Sequence, residues 1–272
     1  MKHFSSNWLI ISGIVIILTA CNQSNDTQSK DQNKAKIDKS EIEENLKDLS
    51  NPLPQPFEVY AMLEDIGASY SKDFMNSVSN VDRYISANSK AVNVGVYAAD
   101  LGYAAIYAKK DDVSLYSKTL KTLVDELGVK LDYKGLTEEM SDENEISKDS
   151  LISIVSSLYY DTYSFLHEES EPSLAALMAA GAWTEGMYLA TQISDDAYQN
   201  TKIVSIIFKQ SSSLAGLIEF LDNFKDNEMV SSLLSDLNNL KSLFDATDGS
   251  LTEQQFAEIN AAIIEIRASI LM

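Results

Sequence analysis

From Phe57 onward apolar residues return at every third or fourth position, and the two-residue alternation of a half-wet strand is absent. That period predicts helices over 57–67, 70–85, 89–108, 112–127, 147–168, 172–192, 195–222, 227–244 and 252–270. Local signals mark several of the ends. Asp111 and Asp112 precede one start, Gly128 follows one end, Pro172 suits a first helical position, and Thr252 with Gln255 has the spacing of a capping box. Helix after helix with no strand between them predicts an all-α domain.

Two of these segments carry small residues where one helix can touch another. Gly95, Ala98, Gly102 and Ala105 form a stripe on the first, and Ala175, Ala179, Ala182 and Gly186 form one on the second. Such stripes let two backbones approach closely, so the pair is expected at the centre of the fold, with Gly102 and Gly186 where the helices touch. Gly95-Val96-Tyr97 also returns as Gly181-Ala182-Trp183, each triplet inside an Ala-rich helix. The expected architecture is therefore a helical bundle or short solenoid, with two related helical halves as one form of it.

The chain before Phe57 is different in kind. Lys2 and His3 precede an apolar run from Trp8 to Leu18, which is too short to span a bilayer and has the order of a secretory signal. It closes on Leu18-Thr19-Ala20-Cys21, which resembles the lipobox of bacterial lipoproteins. The resemblance implies cleavage before Cys21, diacylation of its sulfur by chains of the palmitate class, and a protein anchored to a membrane without crossing it. Residues 1–20 are then the signal peptide, 21–51 the lipidated cysteine and a polar tether, and 52–272 the helical domain. The tether is rich in Asn, Gln, Ser, Asp and Lys and has little to bury. A short helix is expected at Ser40 to Leu49, and Pro52, Pro54 and Pro56 stiffen the entrance to the domain. In the sorting logic of enterobacterial lipoproteins, Asn22 in place of an Asp favours the outer membrane, with the periplasmic or surface face left open. The stretch Gly95 to Ala104 is also similar to one in helical lipoproteins of Bacteroidota, a likeness confined to one helix that implies no activity.

Charge and chemistry narrow the partners. The chain has 41 acidic against 21 basic residues, a formal charge of −20. Nucleic acid and anionic lipid surfaces are repelled by that field, so the expected partners are the membrane, through the N-terminal lipid, and an envelope protein or ligand. Cys21 is the one cysteine, which excludes a disulfide within the chain. Beyond the leader, His167 is the one histidine, so zinc sites of the His and Cys type lack ligands and nucleophilic triads have little to assemble from. Glycine-rich phosphate loops, GxSxG and HExxH are absent. No cofactor, metal site or catalytic residue is expected. Asp245 to Phe256 echoes a calcium loop, but Phe244, Ala246 and Gln255 fall where oxygen ligands are required, so the stretch reads as a Gly turn and a capped helix.

One polar stripe remains, Asn93, Tyr97, Asp100, Tyr103 and Tyr107, on the Gly95 helix. An acid in so apolar a helix must be solvated, hydrogen-bonded or neutral. Either core tyrosines satisfy Asp100, or Asp100 and Tyr97 line a polar, aromatic pocket with Trp183 and Glu185 of the sister helix. The leading expectation is a membrane-tethered, non-enzymatic binding or scaffold lipoprotein of the cell envelope. The alternatives are a hydrolase of envelope glycans working through Asp100 and Glu185, and an accessory subunit of an envelope complex.

Overall fold

Two helices with no wet face organise the fold. In the computed structural model, which describes residues 56–130, 147–168, 170–193 and 197–272, helix α2 (Ala87–Ile106) buries every residue from Ala91 to Ile106. The sister helix buries Ser173 to Met187 and most of its last turn, and a helix apolar all round belongs inside the core. It follows α1 (Pro56–Asp65), α3 (Lys110–Glu126) and α4 (Lys148–Glu168) and is α5 (Pro172–Gln192). The chain then runs through α6 (Thr201–Asp222), α7 (Glu228–Asp245) and α8 (Glu253–Ile270), and no strand occurs among the described residues. The protein is an all-α bundle. The signal peptide, the tether, Cys21 and the Ser40–Leu49 helix lie outside the described residues.

The α2–α5 contact is the most extensive among the described residues. A methyl on Gly95 would lie 1.9 Å from the Met178 carbonyl oxygen, and one on Gly181 would lie 1.9 Å from that of Val92. Only glycine fits where two backbones meet this closely. Gly102 and Gly186 are buried in the same two helices, and a close backbone approach is seen at Gly95 and Gly181. The central pair is thus as expected.

The other helices cover this pair. Both α1 and α4 pack on α2 and α5; α3 packs on α2, α6 and α8 pack on α5, and α7 bridges α6 and α8. The outer helices are amphipathic, as in α7, where Val230, Leu233, Leu234, Leu237, Leu240 and Phe244 face inward. By length and composition α6 could cross a membrane, yet it is capped by Asn200 and packs on α5 and α7 as a bundle helix. Thr252 and Gln255 form the expected capping box on α8. Asp111 and Asp112 sit inside the first turn of α3, because the helix starts at Lys110, ahead of the expected residue 112.

Three helix ends share one closing turn. Gly67 (φ +81°) and Gly128 (φ +80°) occupy the left-handed position after α1 and α3. Ala108 (φ 52°) does so after α2, where Ala108 N donates to Ala105 O and Lys109 N to Ala104 O at 2.8 Å.

The predicted helix over 70–85 does not form. Ala68 to Tyr84, here called the strap, is extended chain with short 3-10 turns at Lys72–Phe74 and Val78–Arg83. Its serines and asparagines bond locally: Ser77 accepts from Ser79 N, and Asn80 Nδ2 donates to Asn76 Oδ1 at 2.8 Å. Side chains of this type offer the backbone an alternative to the helix. The predicted 195–222 helix likewise divides, because Asn200 caps α6 and leaves a separate 3-10 turn at Ala197–Gln199.

Candidate functional site

Asp100 lies five residues after Gly95, and Glu185 four after Gly181. The glycine crossing therefore brings two carboxyl groups together at one level between α2 and α5. Both residues are 0 % exposed and their carboxyl groups are in hydrogen-bond contact. Arg267 on α8 supplies the opposing charge. Its Nε donates to Glu185 Oε2 at 2.6 Å and its Nη2 to Glu185 Oε1 at 2.7 Å, a bidentate pair. The guanidinium also lies 3.9 Å from the centre of the Tyr188 ring, one turn beyond Glu185.

Burial dominates the electrostatics. It pushes the Asp100 carboxyl well above its ordinary range, and the charge of Glu185 adds to the push. Burial also raises Glu185, against the downward pull of the Arg267 hydrogen bonds. Tyr60 on α1 is raised by burial first and then by the charges of Glu185 and Asp100. Tyr103 is pushed up to about 12, chiefly by burial.

The rest of the polar stripe serves the strap. Tyr97 donates to Ser77 O at 2.8 Å, Tyr116 of α3 to Asn76 O at 2.9 Å, and Tyr107 to Ala68 O at 2.9 Å. Tyr103 accepts from Ser71 N at 2.9 Å, Asp100 Oδ2 from Asn76 N at 3.1 Å, and Arg267 Nη2 donates to Phe74 O at 3.2 Å. Six main-chain groups of an irregular segment thus find partners on the bundle, which such groups require when they leave water. At the outer edge Tyr70 stacks on Tyr103 at 4.8 Å and donates to Asp112, which also pairs with Lys72. The arrangement is a clasp that holds the strap over the acid pair.

Of the four residues placed in one pocket by sequence, three come together. Asp100 and Glu185 are in contact, and Tyr97, one turn before Asp100 on α2, feels the charge of that acid. Trp183 does not join: its indole N–H donates to Ser213 Oγ on α6 at 3.0 Å. Residues two apart on a helix point roughly 200° apart, so Trp183 and Glu185 face different neighbours. The tyrosines satisfy the strap backbone instead of Asp100, which corrects the first reading of that acid. Asn93, at the head of the stripe, donates to Ile270 O at 2.8 Å and ties down the end of α8. Arg267 and Asn76 are the members that sequence reasoning missed. His167 is exposed, with its ring stacked on Tyr163 at 5.8 Å.

Nothing in the described residues supplies a metal centre: no group of three or more His, Cys, Asp or Glu could hold an ion. The Asp245–Phe256 stretch is a turn at Gly249 (φ +72°) followed by the capped start of α8. An open groove of ≈ 700 Å³ lies between α6 and α7, over Ala215, Ile218 and Leu234 with Glu219 and Asp222 beside them. It shares no residue with the acid pair. Comparison with protein-family models, curated proteins and solved structures finds no match for this chain.

Proposed function

We propose that the chain is a lipid-anchored, non-enzymatic binding or scaffold module of the bacterial cell envelope. The observation that carries the reading is Leu18-Thr19-Ala20-Cys21 at the end of a short apolar run, with no other cysteine in the sequence. Two or more acyl chains, at about 0.8 kcal/mol for each buried CH₂, anchor a protein stably where one does so marginally. Asn22 favours delivery to the outer membrane, and the polar stretch to residue 51 spaces the bundle from the lipid.

The buried chemistry supports a binding role over a hydrolytic one. A pair of glycosidase carboxyl groups stands roughly 5 to 10 Å apart across an open cleft that admits sugar and water. Asp100 and Glu185 touch each other, have no exposed surface and are occupied by Arg267 and Asn76. The test of the anchor is Cys21→Ser followed by membrane fractionation. The mutant is expected in the soluble fraction, and its continued sedimentation with the outer membrane would overturn the assignment.

A further inference from the structure

The acid pair has more carboxyl oxygens than donors. Arg267 engages both oxygens of Glu185, Asn76 N engages Asp100 Oδ2, and Asp100 Oδ1 is buried with no donor of its own. With both acids ionised, two negative charges would share one guanidinium out of contact with water, and an unpaired buried charge is strongly unfavourable. One proton resolves both faults. Placed on Asp100, it makes that carboxyl a donor to the Glu185 carboxylate it touches and leaves the cluster neutral. We propose that Asp100 and Glu185 hold this single proton between them and that it is the latch of the strap: its loss releases Ala68–Tyr84 from the bundle.

The strap is the element that can yield. Within it only Met75, Asn76 and Tyr84 are buried, and its regular structure is two short 3-10 turns. It is held by six hydrogen bonds, two of them buried and four partly buried, of which Asp100 and Arg267 make two, and by the packing of Met75, Tyr84 and the partly buried Phe74, Val78 and Val81 on the core. A segment with few buried apolar contacts opens before the helices beneath it. Opening is also how Asp100 would reach water, because the main chain at Asn76 lies directly on its carboxyl group. The titratable groups bearing on Asp100 are Glu185 from α5, Arg267 from α8, Tyr60 from α1, Tyr116 from α3, and Tyr97 and Tyr103 from its own helix. Tyr84 of the strap senses the pair through Glu185. On α4, burial raises Tyr159, and Tyr160 and Tyr163 add to it. Burial raises every one of these tyrosines, so they stay protonated and Asp100 is the group that titrates.

The sign follows from which state holds the proton. The closed strap keeps it at pH values where the open form, with Asp100 in water, has lost it. Closure is therefore favoured most in acid. It weakens about tenfold per pH unit from the ordinary carboxylate value near 4 up to the raised value of the closed form, and then levels.

The test uses the full chain. An asparagine mimics the protonated acid, since its NH₂ can donate to Glu185 while its oxygen accepts from Asn76 N. Hydrogen exchange over residues 68–84 is measured from about pH 5 to about pH 9, corrected for the intrinsic rate. Wild-type protection of the strap is expected to fall relative to D100N, by about tenfold per pH unit until it levels. D100A, which can neither donate nor accept, is expected to be poorly protected throughout. In the infrared, wild type should show the C=O stretch of a protonated carboxyl at neutral pH, and D100N should lack it. The proposal is overturned if that band is missing from wild type, if the strap protection of wild type and D100N runs in parallel with pH, or if D100N fails to fold or behaves as D100A does. The infrared band is read on wild type alone and decides the protonation state whatever the variants do.

Discussion

A methyl group at Gly95 measures how closely the two central helices meet. It would lie 1.9 Å from the Met178 carbonyl oxygen and 2.7 Å from Ala182 N. Carbon and oxygen in non-bonded contact stand roughly 3.3 Å apart, so α2 and α5 must part by more than about 1 Å. The obstacles are main-chain atoms and cannot rotate aside. Separating the helices loosens the whole Ala-rich face between them, which places the cost near the upper end of the overpacking range, about 3 kcal/mol. Alanine is the better helix former by about 1 kcal/mol, leaving a net loss of about 2 kcal/mol. With a urea m-value of about 2 to 3 kcal/mol/M, the midpoint of Gly95→Ala should fall by close to ~1 M. Gly181→Ala meets Val92 O at 1.9 Å and should lose a similar amount. The double mutant should lose less than the sum, because one separation relieves both clashes. Gly216→Ala is the control: a methyl there, inside α6, has nothing within 4 Å and should raise stability by about 0.5 to 1 kcal/mol. A Gly95→Ala midpoint at or above that of wild type would refute the backbone contact, as would Gly95→Ala and Gly216→Ala moving in the same direction.

Two further predictions concern stability. Arg267→Met leaves the buried Glu185 carboxylate without its cation and should cost about 3 to 5 kcal/mol in urea unfolding, whereas combining it with Glu185→Leu should recover most of the loss; a double mutant no more stable than Arg267→Met would sink the ion-pair account. Ala108→Gly removes the left-handed strain after α2 and should raise the midpoint, by up to about 1 kcal/mol, with a fall in midpoint as the contrary result.

The three-and-four rhythm located the helices because most of them are half-buried, and a half-buried helix writes its buried face into the sequence. It failed over 70–85 because that rhythm says nothing about what the main chain bonds to. Ser77 and Asn76 turn their side chains back on the local chain, and Tyr97, Tyr107 and Tyr116 satisfy strap carbonyls from a distance that no window of residues contains. Asp100 and Glu185 were legible as a pair, since they sit at nearly the same offset from two matching glycines. Trp183 was misplaced by sequence neighbourhood, which on a helix is not spatial neighbourhood. Arg267 went unremarked in the sequence. A signal was present all the same: it is one of two arginines in the chain, and it falls at helical spacing among Ile263, Ile266 and Ile270, which are all buried.

The clasp draws its cation from far along the chain, since Arg267 lies 82 residues after Glu185 and 193 after Phe74. A polypeptide emerging from its N-terminus therefore displays both central acids, and could collapse most of the apolar bundle around them, well before the arginine arrives. Until α8 is delivered, that collapse would strand two carboxyl groups with nothing to neutralise them but protons. A chain cut short before α8 would lack the cation that engages both oxygens of Glu185.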